Sequence, residues 1–164
     1  MIIKPKKSLG QNFLIDNNIL DLIVNLGDIK NNDILLEIGP GTGNLTNKLL
    51  KKEPKKITLI EKDSNLVDIL QEKFNNKVHL VNKDILKIKD QEIKDRKMII
   101  FGNLPYNIST QILAKLIKHK NLNKICNKLI LMFQKEVADR ILAKTNTKNY
   151  SRISILSSWR MNIK

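Results

Sequence analysis

The sequence predicts an α/β domain built on a mostly parallel sheet with helices on both faces. Three observations carry that expectation. Short apolar runs such as Ile34-Leu35-Leu36-Glu37-Ile38 and Met98-Ile99-Ile100-Phe101 lack the polar alternation of a half-exposed strand, which implies burial on both faces. Segments with apolar residues at helical spacing separate these runs. A glycine turn, Gly39-Pro40-Gly41-Thr42-Gly43, closes the first of them. Buried strands joined by helices form a parallel sheet, and the right-handedness of crossovers makes a Rossmann-like winding the expected one.

Taken in order, residues 1–15 form a basic, Pro-containing arm. Asp16 is placed to cap a helix whose Ile19, Leu20, Ile23 and Val24 share one face, and Gly27 to end it in a left-handed conformation. The first strand, Ile34–Ile38, runs into the glycine turn, and Leu45, Leu49 and Leu50 mark the helix that follows. A second strand, Ile57–Glu61, leads into a helix through Leu66, Ile69, Leu70 and Phe74, and Val78–Val81 is the third strand. A polar stretch rich in Lys and Asp precedes the fourth, Met98–Phe101. Ile112, Leu113, Leu116 and Ile117 form a helical stripe, Leu129–Phe133 the fifth strand, and Glu136–Leu142 a further helix. No internal repeat or low-complexity linker interrupts the 164 residues, so they read as one domain.

Composition narrows the function classes. One cysteine, Cys126, and two distant histidines, His79 and His119, offer neither a disulfide framework nor metal-ligand spacing, so no metal is expected. No apolar run is long enough for a membrane span, and Met1–Lys7 lacks the hydrophobic stretch of a secretory signal. A cytoplasmic, monomeric protein is the expectation. Lys and Arg number 30 against 16 Asp and Glu, a net charge of +14. Such an excess fits a polyanionic partner, nucleic acid first among them. The balance of 26 Lys to 4 Arg also fits an AT-rich coding sequence that adds Lys at neutral surface positions, so charge alone names no particular nucleic acid.

In a doubly wound sheet, ligands bind beyond the carboxyl ends of the strands where strand order reverses. Gly39, Gly41 and Gly43 let the backbone turn there and let a ligand approach without a Cβ in the way. Their Gly-x-Gly-x-Gly spacing is neither the Gly-x-Gly-x-x-Gly of dinucleotide enzymes nor a phosphate loop, which favours a ligand without a pyrophosphate. Glu61 ends the second strand roughly 20 residues after Gly39, where a carboxylate accepts from both ribose hydroxyls of a nucleoside. Glycines alone also suit a ligand-free turn; with Glu61 they point to a nucleoside cofactor. Asp84 follows the third strand at the same edge. It is placed either to accept from an adenine amino group or to stabilise its own loop through backbone amides.

The segment after the fourth strand reads Phe101-Gly102-Asn103-Leu104-Pro105-Tyr106-Asn107-Ile108-Ser109-Thr110. An Asn-x-Pro-aromatic tetrad at a strand end resembles the signature of methyltransferases that act on exocyclic amino groups of bases. An adenine amino group is a poor nucleophile because its lone pair is delocalised into the ring. Acceptors aimed at its two hydrogens, the Asn103 side-chain oxygen and the Leu104 carbonyl, localise that pair. Pro105 fixes its own φ and biases Leu104 toward an extended conformation. Tyr106 offers a ring face to an extruded base. The competing reading is an Asn/Pro turn with a packed Tyr.

On these residues the chain resembles the ribosomal RNA adenine dimethyltransferase family. The matching segments are Ser8-Leu9-Gly10-Gln11-Asn12-Phe13-Leu14, Glu37-Ile38-Gly39-Pro40-Gly41-Thr42-Gly43, Glu61, Asp84, Asn103-Leu104-Pro105-Tyr106-Asn107-Ile108-Ser109-Thr110 and Phe133-Gln134-Lys135-Glu136-Val137-Ala138-Asp139-Arg140, in order along nearly the whole chain. The resemblance implies a Rossmann-like, S-adenosylmethionine-dependent methyltransferase domain over residues 1–164. It places Asn12 and Leu14 in an arm over S-adenosyl-L-methionine, with the backbone of Gly39 and Gly41 against it. Glu61 would hold the ribose, Asp84 the adenine, and Asn103 would bridge cofactor and target base. It also implies transfer of two methyl groups to each of two adjacent adenines in small-subunit ribosomal RNA, with the immature small subunit as partner and ribosome biogenesis as the setting.

Leu104 before Pro105 is closer to this branch than to the related large-subunit enzymes of macrolide resistance, which more often carry Ile. Family members continue past Ser157–Lys164 with further strands, a second base-stacking aromatic and a small helical domain. Those strands and that domain are expected to be missing from this chain, leaving Ile153, Ile155, Leu156 and Trp159 partly exposed. The alternatives are a large-subunit adenine methyltransferase and a non-catalytic RNA-binding assembly factor. A nicotinamide oxidoreductase is disfavoured by the glycine spacing.

Overall fold

The computed structural model describes residues 5–6, 9–93 and 95–164; Met1–Lys4, Lys7 and Ser8 of the expected arm, and Lys94, lie outside the described residues. Among the described residues one sheet is formed by β1 (Ile34–Ile38), β2 (Lys56–Glu61), β3 (His79–Asn82), β4 (Met98–Asn103) and β5 (Cys126–Met132). The strand order is β3-β2-β1-β4-β5 and every neighbouring pair is parallel. The chain winds outward from β1 to β3, then returns to β4 on the other side of β1. Strand order therefore reverses between β1 and β4, whose carboxyl ends carry Gly39 and Asn103.

The helices are α1 (Asn17–Gly27), α2 (Asn44–Leu50), α3 (Ser64–Phe74), α4 (Ser109–Lys118), α5 (Leu122–Ile125), α6 (Lys135–Ile141) and α7 (Arg152–Arg160). Successive strand residues feed opposite faces. Leu35, Ile57, Leu59, Ile99 and Phe101 meet α1, α2 and α3 in one core. Leu36, Ile60, Met98 and Ile100 meet α4 and the 3-10 turn at 85–87 in a second. This is the expected doubly covered sheet, and it explains why the strands carry no polar alternation. The Lys- and Asp-rich stretch before β4 covers part of this second face with Ile85 and Ile88.

Asp16 caps α1 as expected, its Oδ1 accepting from the amides of Asn18 (2.8 Å) and Ile19 (3.2 Å). Gly27 does not end that helix in a left-handed conformation. Asp28 does, at φ +48, and Gly27 is the last helical residue. Gly27 is required for packing instead: a Cβ there would lie 2.8 Å from Phe101 Cζ in β4 and 2.9 Å from Ile29.

Helix α7 has no counterpart among the expected elements. Its Ile153 and Leu156 pack with Leu113, Ile117 and Ile141 in a third cluster, while Ile155 and Trp159 are 53% and 70% exposed. The expectation of partial exposure thus holds for the outer face of the helix. Arg160 closes the C-terminus of α4, donating from Nη1 to the carbonyls of Ile117 (2.8 Å) and His119 (3.0 Å). No helix among the described residues is long and apolar enough to cross a membrane, and no cluster of metal-ligating side chains is found among them.

Candidate active site

Because all five strands are parallel, their carboxyl ends share one edge. There the glycine turn after β1, the end of β2, the turn after β3 and the loop after β4 enclose a cleft, with residues 9–13 of the arm as a further wall. Gly39 and Gly41 have φ of +68 and +59. A Cβ on Gly39 would meet nothing nearer than Asn103 O and Pro105 Cδ, both at 4.0 Å, so it would project into the gap between the β1 and β4 loops. Bare backbone faces the cleft there. Gly43 serves packing, since a Cβ would come within 2.5 Å of the Phe74 ring.

Glu61 is nearly buried at the end of β2. Its Oε1 accepts from the amides of Lys62 (2.8 Å) and Asp63 (2.9 Å), and its Oε2 accepts from Gly41 N at 3.2 Å. Of about four acceptor positions on a carboxylate, roughly one is left, on Oε2. Burial pushes its carboxyl above the ordinary range against the pull of those three amides. Asp84 also lines the cleft, and both readings of it have a physical basis. Its Oδ1 accepts from Leu86 N at 2.9 Å, the loop-stabilising contact, and its Oδ2 pairs with Lys62 Nζ at 3.0 Å. Burial alone would raise its carboxyl; the Leu86 amide and the Lys62 ammonium outweigh that and hold it below the usual carboxylate range.

Asn103 is the last residue of β4, and its Nδ2 donates to the Asn12 carbonyl at 2.7 Å. A backbone carbonyl only accepts, so the amide nitrogen must face the arm and Oδ1 points elsewhere. Among the described residues nothing donates to Asn103 Oδ1 or to the Leu104 carbonyl. Leu104 itself is buried in the second core. Tyr106 is 38% exposed, and its hydroxyl bonds the Asn12 side-chain amide.

Of the residues singled out from the sequence, Asn12, Gly39, Gly41, Glu61, Asp84, Asn103 and Pro105 meet in this one cleft. Leu14 does not line it. Its side chain packs on the first core, and its carbonyl accepts from Asn44 Nδ2 at 2.9 Å. Tyr106 stands beside the cleft on the loop that follows Pro105, linked to it through Asn12. Gly10, Gln11 and Phe13 line the cleft although sequence reasoning gave them no role. Their signal was membership of the segment Ser8–Leu14 that carries the family resemblance.

A parallel sheet with a glycine turn and acidic residues at its switch point, and an Asn-Leu-Pro-Tyr loop beside them, defines a Rossmann-like domain with a ligand cleft at that point. The chain belongs to the ribosomal RNA adenine dimethylase family, whose sequence model matches residues 2–164. It is 55% identical over all 164 residues to the ribosomal RNA small subunit methyltransferase A of Pelagibacter ubique (strain HTCC1062), covering 62% of that protein. The crystal structure of a dimethyladenosine transferase from Plasmodium falciparum superposes with a TM-score of 0.75 at 36% identity, over 90% of this chain and 52% of that one. A 23S rRNA methyltransferase superposes at 0.72 with 24% identity, over 90% of this chain and 57% of that one, a likeness of fold alone. The chain spans about three-fifths of the length of the curated relatives it matches.

Proposed function

We propose that residues 1–164 are the cofactor-binding domain of a cytoplasmic, monomeric enzyme. It would transfer methyl groups from S-adenosylmethionine to the amino groups of two adjacent adenines in small-subunit ribosomal RNA, on the immature subunit. One observation supports the reading: a bare glycine backbone, a nearly buried carboxylate and the unclaimed Asn103 side-chain oxygen meet at a single switch point. The family membership and the 55% identity to a small-subunit enzyme favour that subunit over the large one. The net charge of +14 suits an RNA partner.

The cleft fits the cofactor. A Cβ at Gly39 would fill space that no protein atom uses, and Glu61 keeps an acceptor position on Oε2 for a ribose hydroxyl. Gly39 and Gly41 would take it against their backbone, Asp84 would meet its adenine, and Asn12 would cover it from the arm. Leu14 would act through position in the arm, since its side chain is in the core. When bound, S-adenosylmethionine supplies a methyl group on a sulfonium, whose sulfur leaves as a neutral thioether.

The chain's own residues prepare the nucleophile. Asn103 Oδ1 and the Leu104 carbonyl accept the two amino hydrogens, and Pro105 holds them in register. Tyr106 stacks on the extruded adenine. The amino nitrogen would bond to that methyl carbon as the carbon–sulfur bond breaks. The alkylated nitrogen is acidic and releases its proton to water without a dedicated base.

The test is tritiated methyl transfer to under-methylated small subunits, using the chain extended by a homologous C-terminal region. Asn103→Ala should lose transfer by at least about a hundredfold, the loss of roughly 3 kcal/mol of transition-state stabilisation, while keeping cofactor affinity within a few-fold. Normal single-turnover transfer by that variant would remove Asn103 from the chemistry.

A further inference from the structure

Asp63 lies two residues beyond Glu61 and caps α3, accepting from Asn65 N at 3.2 Å. Capping does not account for its surroundings. Asp16 does the same local work for α1 while exposed to solvent, with only local amides as partners among the described residues. Asp63 is 6% exposed, and its carboxylate takes partners from far along the chain. Lys6 Nζ pairs with Oδ1 at 2.8 Å, and Gln11 Nε2 donates to Oδ2 at 3.0 Å. Gln11 closes the network through its other end, its Oε1 accepting from Lys6 N at 2.8 Å. Burial would raise the Asp63 carboxyl; Lys6, Gln11 and the Asn65 amide together hold it below the usual range. A nearly buried carboxylate is costly unless paired, so the arm and Asp63 each need the other.

The arm's opposite end rests on the β4 side of the cleft. Asn12 meets Asn103 and Tyr106 there. Gly10, at φ +63, is pressed so closely on Asn107 that a Cβ would overlap its side-chain amide. The arm is thus a bridge with one pier at Asp63 and the other at the catalytic loop. Asp63 also donates its own amide to Glu61 Oε1 at 2.9 Å. One residue therefore holds the arm with its side chain and the Glu61 carboxylate with its backbone.

We infer that Asp63 is a positioning residue: through Lys6 and Gln11 it anchors the arm across the cleft, and it couples closure of the arm to the set of the Glu61 carboxylate. The coupling to a cofactor rests on the function proposed above; the anchor does not. A closed arm also fixes the Asn103 amide with its oxygen turned away from Asn12, toward the target amino group.

Amide hydrogen exchange on the whole chain tests the anchor without any ligand, read over residues 5–14 and over α3 as a control. Asp63→Asn keeps an acceptor for Asn65 N but loses the charge. Lys6→Met removes the partner from a half-exposed site with no effect on the helix cap. Each should speed exchange of the arm at least about tenfold while α3 stays protected, and the double variant should add nothing further, because both break one link. Calorimetry with S-adenosylhomocysteine should show affinity about tenfold weaker in both single variants. Wild-type arm exchange in both variants, or loosening of α3 without the arm, overturns the anchor. A loosened arm with unchanged S-adenosylhomocysteine affinity overturns the coupling. Failure of the wild type to bind S-adenosylhomocysteine counts against the proposed function, and the exchange result still decides the anchor.

Discussion

Replacing Glu37 by glutamine should change how stability depends on pH, and the structure sets the size of the effect. Glu37 sits within β1 at 2% exposure, and Thr46 Oγ1 donates to its Oε2 at 2.7 Å. Burial pushes its carboxyl from the ordinary 4.5 up to about 7; the Thr46 bond opposes this, and the negative charge of Glu61 adds to it. The folded chain therefore holds this proton more tightly than the unfolded chain does. Stability from the protonated form is complete below about 4.5 and is lost as pH rises through about 7. At about 1.4 kcal/mol per pH unit, the loss between pH 5 and 8.5 is roughly 2–3 kcal/mol, a large share of a typical domain's 5–15 kcal/mol. The side-chain amide of Glu37→Gln keeps an oxygen for Thr46 and does not titrate. Urea unfolding of both proteins at pH 5, 7 and 8.5 measures the difference, in which the other titrating groups largely cancel. Relative to wild type, the variant should gain roughly 2–3 kcal/mol across that range. A difference that stays constant within about 0.5 kcal/mol would show that Glu37 titrates as an ordinary carboxylate and would refute the reasoning.

Glu61→Ala orphans the amides of Gly41, Lys62 and Asp63 as well as the proposed ribose contact. It should cost roughly 2–4 kcal/mol in urea unfolding and weaken S-adenosylmethionine at least about tenfold by calorimetry. Tyr106→Ala removes an exposed ring. Cofactor affinity should change little, while binding of an adenine-containing hairpin RNA to the extended protein loses about 1–3 kcal/mol in a filter assay. Gly43→Ala forces a side chain into φ +78 and against the Phe74 ring at 2.5 Å, so thermal unfolding should register a loss of about 2–4 kcal/mol.

The reach of the sequence is set by which contacts are local. Parallel strands must end at one edge, so the alternation of apolar runs and helices was enough to bring Gly39, Glu61, Asp84 and Asn103 together without knowledge of any contact among them. Gly27 was misassigned because a glycine near a helix end usually supplies the left-handed turn, and nothing nearby in sequence reveals Phe101 pressing on it from β4. Helix α7 was hidden by its serines, which look like a loop. Ser154 is buried because its hydroxyl donates to Arg140 O, a partner fixed only once α6 and α7 pack.

Asp84 marks the boundary between what is local and what is not. Its bond to Leu86 follows from a turn that the sequence allows, while its pairing with Lys62 depends on β2 and β3 lying side by side. Asp63 lies wholly beyond that boundary. Its capping bond to Asn65 N is local, but its partners Lys6 and Gln11 belong to an arm with no periodicity to aim it. Residues that a regular element points into a site can be named from pattern. Residues that hold a cover over it acquire their partners only through tertiary docking, and a nearly buried carboxylate bound by distant side chains is the physical mark by which they are found.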